Sequence, residues 1–102
     1  MSYFPQIQHK YELTAGDHQL KEGSGHIDKL IIHMRGTDKT KVWRVWDSIG
    51  LPAGDTPGHI VWAAYSDDPK VQSGCIINLD WTVNEGMLLQ VPPDGVCSVS
   101  WI

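Results

Sequence analysis

The chain has 102 residues, 41% of them hydrophobic, and a formal net charge of −4 with its histidines neutral. This length suits one domain with one core, here residues 1–102. No apolar run approaches the roughly 18 residues of a membrane-spanning helix, and the eight lysines and arginines are scattered rather than gathered in the basic stripe of a nucleic-acid surface. We therefore expect no membrane or nucleic-acid partner.

Apolar and polar residues alternate along most of the chain, in about eight runs separated by turns. The first two runs, QHKYEL and HQLKE, are short. The third, GHIDKLIIHMRG, places Leu30, Ile32 and Met34 on one face and Ile31 on the other. Period-two alternation is typical of β-strands, because successive side chains point to opposite faces. We therefore expect strands throughout and no helix longer than two turns.

The remaining runs continue this pattern to the last residue. They read KVWRVWDS, HIVWAAYS, CIINLDWTV, MLLQV and VCSVSWI. Between them lie segments rich in Gly, Pro and Asp, as turns are, including LPAGDTPG at 51–58, SDDPKVQSG at 66–74 and PPDG at 92–95. Short strands at spacings of about 8–12 residues are typical of sandwiches and jelly rolls. The predicted fold is an all-β, single-domain, jelly-roll-like β-sandwich.

The apolar faces of these strands predict the core. A strand at the surface of a sandwich buries one face, so the residues of the more apolar face are assigned to the interior. Nine residues are predicted to be mostly buried: Leu30, Ile32, Met34, Ile77, Leu79, Trp81, Leu89, Val99 and Trp101.

Four further apolar residues lie on the faces opposite this predicted core: Ile31, Val45, Ile76 and Leu88. A contiguous apolar patch of more than a few hundred Å² is rarely left in water. These residues are therefore either buried between subunits or covered by the segments 51–58 and 66–74. The first alternative predicts a subunit interface at these four residues and a closed, cyclic oligomer.

Five tryptophans stand among the 102 residues, enough for a protein interface or a sugar-stacking platform. Trp81 and Trp101 lie on apolar faces and are assigned to the core. Trp43 and Trp46 are three residues apart and so face opposite ways on one strand. If Trp46 is in the core, Trp43 covers a second layer, a neighbouring subunit or a ligand. Trp43 and Trp62 are therefore candidate interface or ligand residues.

The residue types that carry catalysis or bind metals show none of the usual spacings. The five histidines include no H-x-H or H-x-x-x-H pair of the kind that zinc sites use, and no G-x-S-x-G elbow exposes a serine. Cys75 and Cys97 are too far apart for a C-x-x-C motif. Because they lie on apolar faces and no secretory signal is visible, we expect two free thiols. No catalytic residue, metal or cofactor is predicted.

The segment from Gly25 to Ile102 resembles small jelly-roll virion proteins of bacteriophages, which occur as head decorations or head fibres. The resemblance rests on GHIDKLIIHMRG, on KVWRVWDS with its exposed Asp at the strand end, on GCIINLDWTVNEGMLLQV and on the closing strand VCSVSWI. It covers about three quarters of the chain and consists of apolar positions and turns. The tryptophan content and the long LPAGDTPG segment depart from that pattern, which leaves the position in the virion open.

This resemblance implies a non-enzymatic virion structural protein. We expect a capsid decoration subunit that is made in the host cytoplasm, self-associates as a homo-oligomer, with a trimer favoured, and binds the major capsid protein at the capsid exterior.

Two alternative functions stay open. The first is a carbohydrate-binding β-sandwich, with Trp43 or Trp62 as stacking platforms and Asp55, Asp67 or Asp68 contacting hydroxyls or Ca²⁺. A cupin-type enzyme is the least favoured, because the histidine spacing of that family is missing.

Overall fold

The computed structural model describes residues 7–50 and 59–102, and strands make up 65% of them. The prediction of an all-β chain with about eight strands is confirmed. In chain order the strands are β1 (Gln8–Leu13), β2 (Gly16–Glu22), β3 (Gly25–Arg35), β4 (Val42–Asp47), β5 (Ile60–Tyr65), β6 (Ile76–Val83), β7 (Gly86–Val91) and β8 (Gly95–Trp101). A 3₁₀ turn covers Pro69–Val71. None of the described residues belongs to a helix long and apolar enough to cross a membrane.

The eight strands form two antiparallel four-stranded sheets. Sheet 1 has the order β1-β8-β3-β6, and sheet 2 has the order β2-β7-β4-β5. Most sequence neighbours lie in different sheets, so that β2, for example, pairs with β7 and β3 pairs with β8. This arrangement of two four-stranded sheets with crossing connections is that of a jelly roll. It places the closing strand β8 in the centre of sheet 1, paired on both sides.

The inner faces of the two sheets enclose one hydrophobic core. Seven of the nine predicted core residues are buried or pack against it: Leu30, Ile32 and Leu89 are fully buried, and Ile77 and Leu79 are half-buried at its margin. Val99 and Trp101 of β8 are also buried. The 66–74 segment contributes Val71, which is fully buried in the same core. That segment therefore closes the sandwich between its sheets.

The prediction that Met34 is buried is wrong, because its side chain is 53% exposed. Ile32 opposes Cys97 and Met34 opposes Val96, so two steps along β3 match one step along β8. Such a β-bulge inserts one residue and reverses the alternation beyond it. Met34 therefore points away from the core, although the sequence alternates without a break.

The prediction that Trp81 is buried is also wrong, because its side chain is 56% exposed. Trp81 opposes Ile27 on β3, while Asn78 opposes Lys29, so three steps along β6 match two along β3. The bulge includes Asp80, whose φ is 46°. Because β6 is the outermost strand of sheet 1, no neighbouring strand covers the bent segment, and the indole is left partly in water.

Each of the four outermost strands carries a bulge of this kind. The extra residue lies on β1 against β8, on β2 against β7, on β5 against β4 and on β6 against β3. A bulge breaks the regular row of free N–H and C=O groups that would otherwise pair with another strand. The edges of both sheets are therefore poorly suited to adding a strand from a second molecule.

Both cysteines are free thiols, as expected from the sequence. Cys97 is fully buried on the inner face of β8, and Cys75 is half-buried just before β6. Burial raises the pKa of the Cys97 thiol to about 12, so this side chain behaves as a small hydrophobic residue.

Candidate functional site

The outer face of sheet 1 carries an unusual mixture of apolar and small side chains. Register places Ile76, Ile31 and Ser98 opposite one another across β6, β3 and β8. A second row crosses the same strands through Asn78, Lys29 and Ser100, with His9 of β1 opposite Ser100. We call these residues, together with Tyr11 of β1, the sheet 1 outer face.

A groove of about 200 Å³ runs along this face between β1 and β3. The serines of β8 form its floor, because they are the smallest side chains of the row. The rings of His9 and Tyr11 form one wall, stacked with their centroids 6.0 Å apart and their planes 12° from parallel. The groove is lined by His9, Tyr11, Lys29, Ile31, Ser98, Val99 and Ser100.

Both hydroxyls on the groove floor are already hydrogen-bonded within the protein. Ser98 Oγ shares a hydrogen bond of 2.6 Å with His33 Nε2. Ser100 Oγ donates to Asp28 Oδ2 at 3.0 Å. The two serines are only 5% and 3% exposed. The floor consequently offers a ligand little free hydrogen-bonding capacity, and the groove is mainly apolar in character.

The Ser98–His33 pair has the spacing of a nucleophile and its base. Within residues 7–50 and 59–102, however, no carboxylate bonds to His33 to orient its ring. Ser98 also lies in the middle of a strand that is paired on both sides, so its neighbouring backbone N–H groups are engaged in the sheet and do not form an oxyanion hole.

The structure brings two of the predicted interface residues to this face. Ile31 is half-buried on β3, and Ile76 beside it on β6 is 56% exposed. They form an apolar pair on the rim of the groove, within a few ångströms of each other across the strand pair. Of the four predicted interface residues, these two lie on the outer face of sheet 1.

The predicted placement of Val45 on the face opposite the core is wrong, and Trp43, which the sequence left open as an interface or ligand residue, lies in the core. Both are fully buried on the inner face of β4, and the Trp43 indole N–H donates to the carbonyl oxygen of Arg35 at 3.0 Å. The outward face of β4 carries Arg44 and Trp46 instead. Both faces of this strand carry large apolar residues, so the alternation alone could not say which face is inside; the charge of Arg44 requires water on its own side.

The two remaining candidates are also covered. Leu88 lies on the outer face of sheet 2 but is only 3% exposed, because it stands in register between Gln19 and Trp46. Trp62 is half-buried and packs against the core from the inner face of β5, opposite Val45. Neither Trp43 nor Trp62 therefore presents a free ring to a sugar.

Of the three carboxylates assigned to the carbohydrate alternative, the structure describes Asp67 and Asp68. Asp68 begins the 3₁₀ turn, where its side chain accepts the Lys70 N–H at 2.8 Å. Asp67 is exposed in the same segment. Asp55 lies outside the described residues. In the part of the chain that the structure describes, no group of three or more His, Cys, Asp or Glu side chains could hold a metal ion.

A polar cluster that the sequence did not predict lies at the turn between β6 and β7. Asp47 at the end of β4 accepts the backbone N–H groups of Asn84, Glu85 and Gly86. Its partial burial raises the pKa of this carboxyl, but the three N–H groups and nearby His59 outweigh that effect and hold the pKa below its usual value. Asp47, the Asp at the strand end in KVWRVWDS, thus holds the turn between β6 and β7 against the end of β4.

Gln19 of β2 is the other residue that sequence reasoning missed. The two N–H groups of its side-chain amide are shared among the carbonyl oxygens of Lys21, Ser48 and Met87, which lie 2.9, 3.0 and 3.0 Å from Nε2. Its Oε1 accepts the Gly50 N–H at 2.8 Å. The side chain thereby joins β2, β7 and the segment after β4. The sequence around Gln19 does not predict such a role, because a glutamine in an exposed strand is usually a surface residue.

The fold and this face together define a jelly-roll β-sandwich with one partly apolar outer surface. No family model, curated protein or solved structure matches the chain. Function is therefore argued from the surface itself.

Proposed function

We propose that this chain is a non-enzymatic structural protein of a bacteriophage virion, a capsid decoration subunit that self-associates and binds the capsid surface. A trimer is the favoured assembly, the major capsid protein is the second partner, and the capsid exterior is the location. The observation that carries the proposal is the sheet 1 outer face, where Ile31, Ile76 and Tyr11 leave an apolar surface on a self-contained sandwich.

This surface is large enough for association but small for a permanent complex. Strands about 4.8 Å apart and a rise of about 3.3 Å per residue give the four-stranded face an area of roughly 400 Å². A standard stable interface buries about 800 Å² on each partner. We therefore expect weak association of the free protein. Anchoring of neighbouring copies on one capsid would raise their effective concentration and strengthen the contact.

Sedimentation velocity of the purified protein tests the self-association. The wild-type protein should sediment faster as its concentration rises from a few to several hundred micromolar. Ile76→Lys, which places a charge on the sheet 1 outer face, should remove this dependence. Ile60→Lys is the matched control: Ile60 is also an exposed isoleucine (40%) on an outermost strand, but it belongs to sheet 2.

Cosedimentation with capsid shells of the phage that encodes this chain tests the second partner. Saturable binding at a fixed number of copies per capsid supports the proposal. A monomer at every concentration, together with no binding to shells, would overturn it. A change in tyrosine or tryptophan fluorescence on titration with sugars, in a protein that does not bind shells, would favour the carbohydrate-binding alternative instead.

A further inference from the structure

The outer face of sheet 2 carries a row of polar and charged side chains near its centre. In register across β2, β7, β4 and β5, the row consists of Asp17, Gln90, Arg44 and Ala63. Because β4 is an inner strand of this sheet, Arg44 stands away from the sheet edges, and its side chain is half-buried. The row therefore places a guanidinium group in the middle of a protein surface.

A cavity of about 280 Å³ opens along this row, where β4 begins and β7 ends. We call it the sheet 2 cavity. Its polar side is formed by Asp17, Lys41, Arg44 and Gln90, and its apolar side includes Val42 and Pro92. It thus combines charged groups with an apolar wall, as sites for small polar ligands do.

The two cations of the sheet 2 cavity have no ion-pair partner in the part of the chain that the structure describes. There, no carboxylate oxygen lies within 4.0 Å of the Arg44 guanidinium or the Lys41 ammonium group. Hydrogen bonds from Thr40 are the largest cause of the lowered pKa of Asp38, and the charge of Lys41 is the smallest. Both cations are therefore available to an anion from outside the chain.

The charges in the cavity match a ligand with a single negative charge. Lys41 and Arg44 carry two positive charges and Asp17 carries one negative charge, so one positive charge is left without a counterpart. A carboxylate balances it and can accept two parallel hydrogen bonds from the guanidinium. A doubly charged phosphate would meet stronger repulsion from Asp17.

The cavity also offers hydrogen-bonding groups for hydroxyls. Gln90 is fixed by two bonds: its Oε1 accepts the indole N–H of Trp46, and its Nε2 donates to Asp17 Oδ1 at 3.1 Å. Among the described residues, this leaves the second amide N–H of Gln90 and Oδ2 of Asp17 without partners. A neighbouring donor and acceptor suit the hydroxyls of a sugar, whereas an acidic protein side chain has no hydroxyl to offer.

The size and the apolar wall of the cavity also suit a sugar ring. A volume of about 280 Å³ lies just below the range of about 300–1,000 Å³ for drug-sized ligands, which restricts the ligand to a small molecule. Val42 and Pro92 present apolar surface to the C–H groups of such a ring. Tyr65 lies opposite Val42 on the same face, with its side chain 59% exposed.

We propose that the sheet 2 cavity binds a sugar acid, a monosaccharide unit that bears one carboxylate. The carboxylate lies against Arg44 and Lys41, and ring hydroxyls bond to Asp17 and Gln90. This inference goes beyond the proposed function and does not depend on it. The cavity lies on the opposite side of the sandwich from the sheet 1 outer face, so it stays open in an oligomer joined through sheet 1.

Titration of the isotope-labelled protein, followed by NMR at neutral pH and constant ionic strength, tests this site. Two sugar acids, D-glucuronate and D-galacturonate, are compared with D-glucose, which has a hydroxymethyl group in place of the carboxylate, and with acetate, which has no ring. At least one sugar acid, at up to tens of millimolar, should shift the amide resonances of residues 41–44 and 88–91 saturably. The dissociation constants of glucose and acetate should be at least about tenfold higher.

Two pairs of variants link binding to the cavity. Arg44→Gln should raise the dissociation constant of the sugar acid about tenfold or more. Arg35→Gln, which removes the same charge at the end of β3, should leave it unchanged. Lys41→Gln and Lys39→Gln form a second pair at exposed positions, in case Arg44→Gln does not fold. Lys41→Gln should weaken binding and Lys39→Gln should not. The spread of amide resonances shows whether each variant is folded.

Three results would overturn the inference. The first is the absence of saturable shifts with both sugar acids, and the second is an affinity that neither Arg44→Gln nor Lys41→Gln changes. The third is a control probe that binds as tightly as the sugar acids. In the case of acetate, the cavity would recognise a carboxylate alone, as an acidic side chain of a protein partner offers. The sedimentation and shell-binding tests of the proposed function are separate from these results.

Discussion

The backbone N–H of Glu85 donates to Oδ1 of Asp47 at 2.8 Å and so joins the turn before β7 to the end of β4. The N–H groups of Asn84 and Gly86 point at the same carboxylate, and the Ser48 N–H returns a bond to the Gly86 carbonyl. A Cβ on Gly86 would lie only 2.7 Å from the Ser48 carbonyl oxygen. Asp47 at the end of β4 and Gly86 at the start of β7 are thus held closely together.

Asp47→Ala should destabilise the protein by about 1–3 kcal/mol, because three backbone N–H groups lose a charged acceptor at once. Urea unfolding followed by tryptophan fluorescence measures the difference in the free energy of unfolding. Asp38→Ala is the control: the Asp38 carboxylate also accepts one backbone and one side-chain hydrogen bond, both from Thr40, two residues away in the same turn. A loss no larger for Asp47→Ala than for Asp38→Ala would show that the inter-strand bonds add nothing.

The contribution of Asp47 should depend on pH. Its pKa in the folded protein is lowered, so the carboxylate form is favoured by folding. The resulting stability is fully present above the unfolded-state pKa of about 3.9 and is lost as pH falls through the lower folded-state value. The difference in unfolding free energy between wild type and Asp47→Asn should therefore be larger at pH 6 than at pH 3. A difference that is constant over this range would contradict the assignment.

The two cysteines should react at very different rates with a maleimide in the native protein. Cys97 is fully buried and burial raises the pKa of its thiol to about 12, so the reactive thiolate is almost absent at neutral pH. Cys75 is half-buried and should be labelled first. Mass spectrometry should find one label on the folded chain and two in denaturant. Equal labelling of both thiols under native conditions would mean that β8 opens readily.

Leu89→Ala should cost about 2–5 kcal/mol of unfolding free energy, the usual range for a fully buried leucine. Leu79→Ala should cost less, because Leu79 is half-buried on the outermost strand β6 and leaves a smaller cavity. Both variants remove the same atoms, so the difference between their losses of unfolding free energy reflects how deeply each leucine is buried. Urea unfolding of both proteins checks the order, and a larger loss at Leu79 would indicate a different register for β6.

The sequence by itself determined the number of strands, their approximate ends and the fold class. Alternation along each run and the Gly, Pro and Asp residues between runs are local features, and they are sufficient for these conclusions. The alternation also identified the inner faces of β3 as far as Ile32, of β6 as far as Leu79 and of β8. In these segments one face is clearly more apolar than the other.

Only the tertiary structure decided which way β4 faces and where the alternation is interrupted. Trp43 and Trp46 give β4 two apolar faces, so the choice depends on what packs against each of them. Met34 and Trp81 lie beyond bulges, and a bulge exists only in relation to the partner strand, which the local sequence does not contain. For the same reason the groove beside Tyr11 became visible only when β1, β8 and β3 were placed side by side.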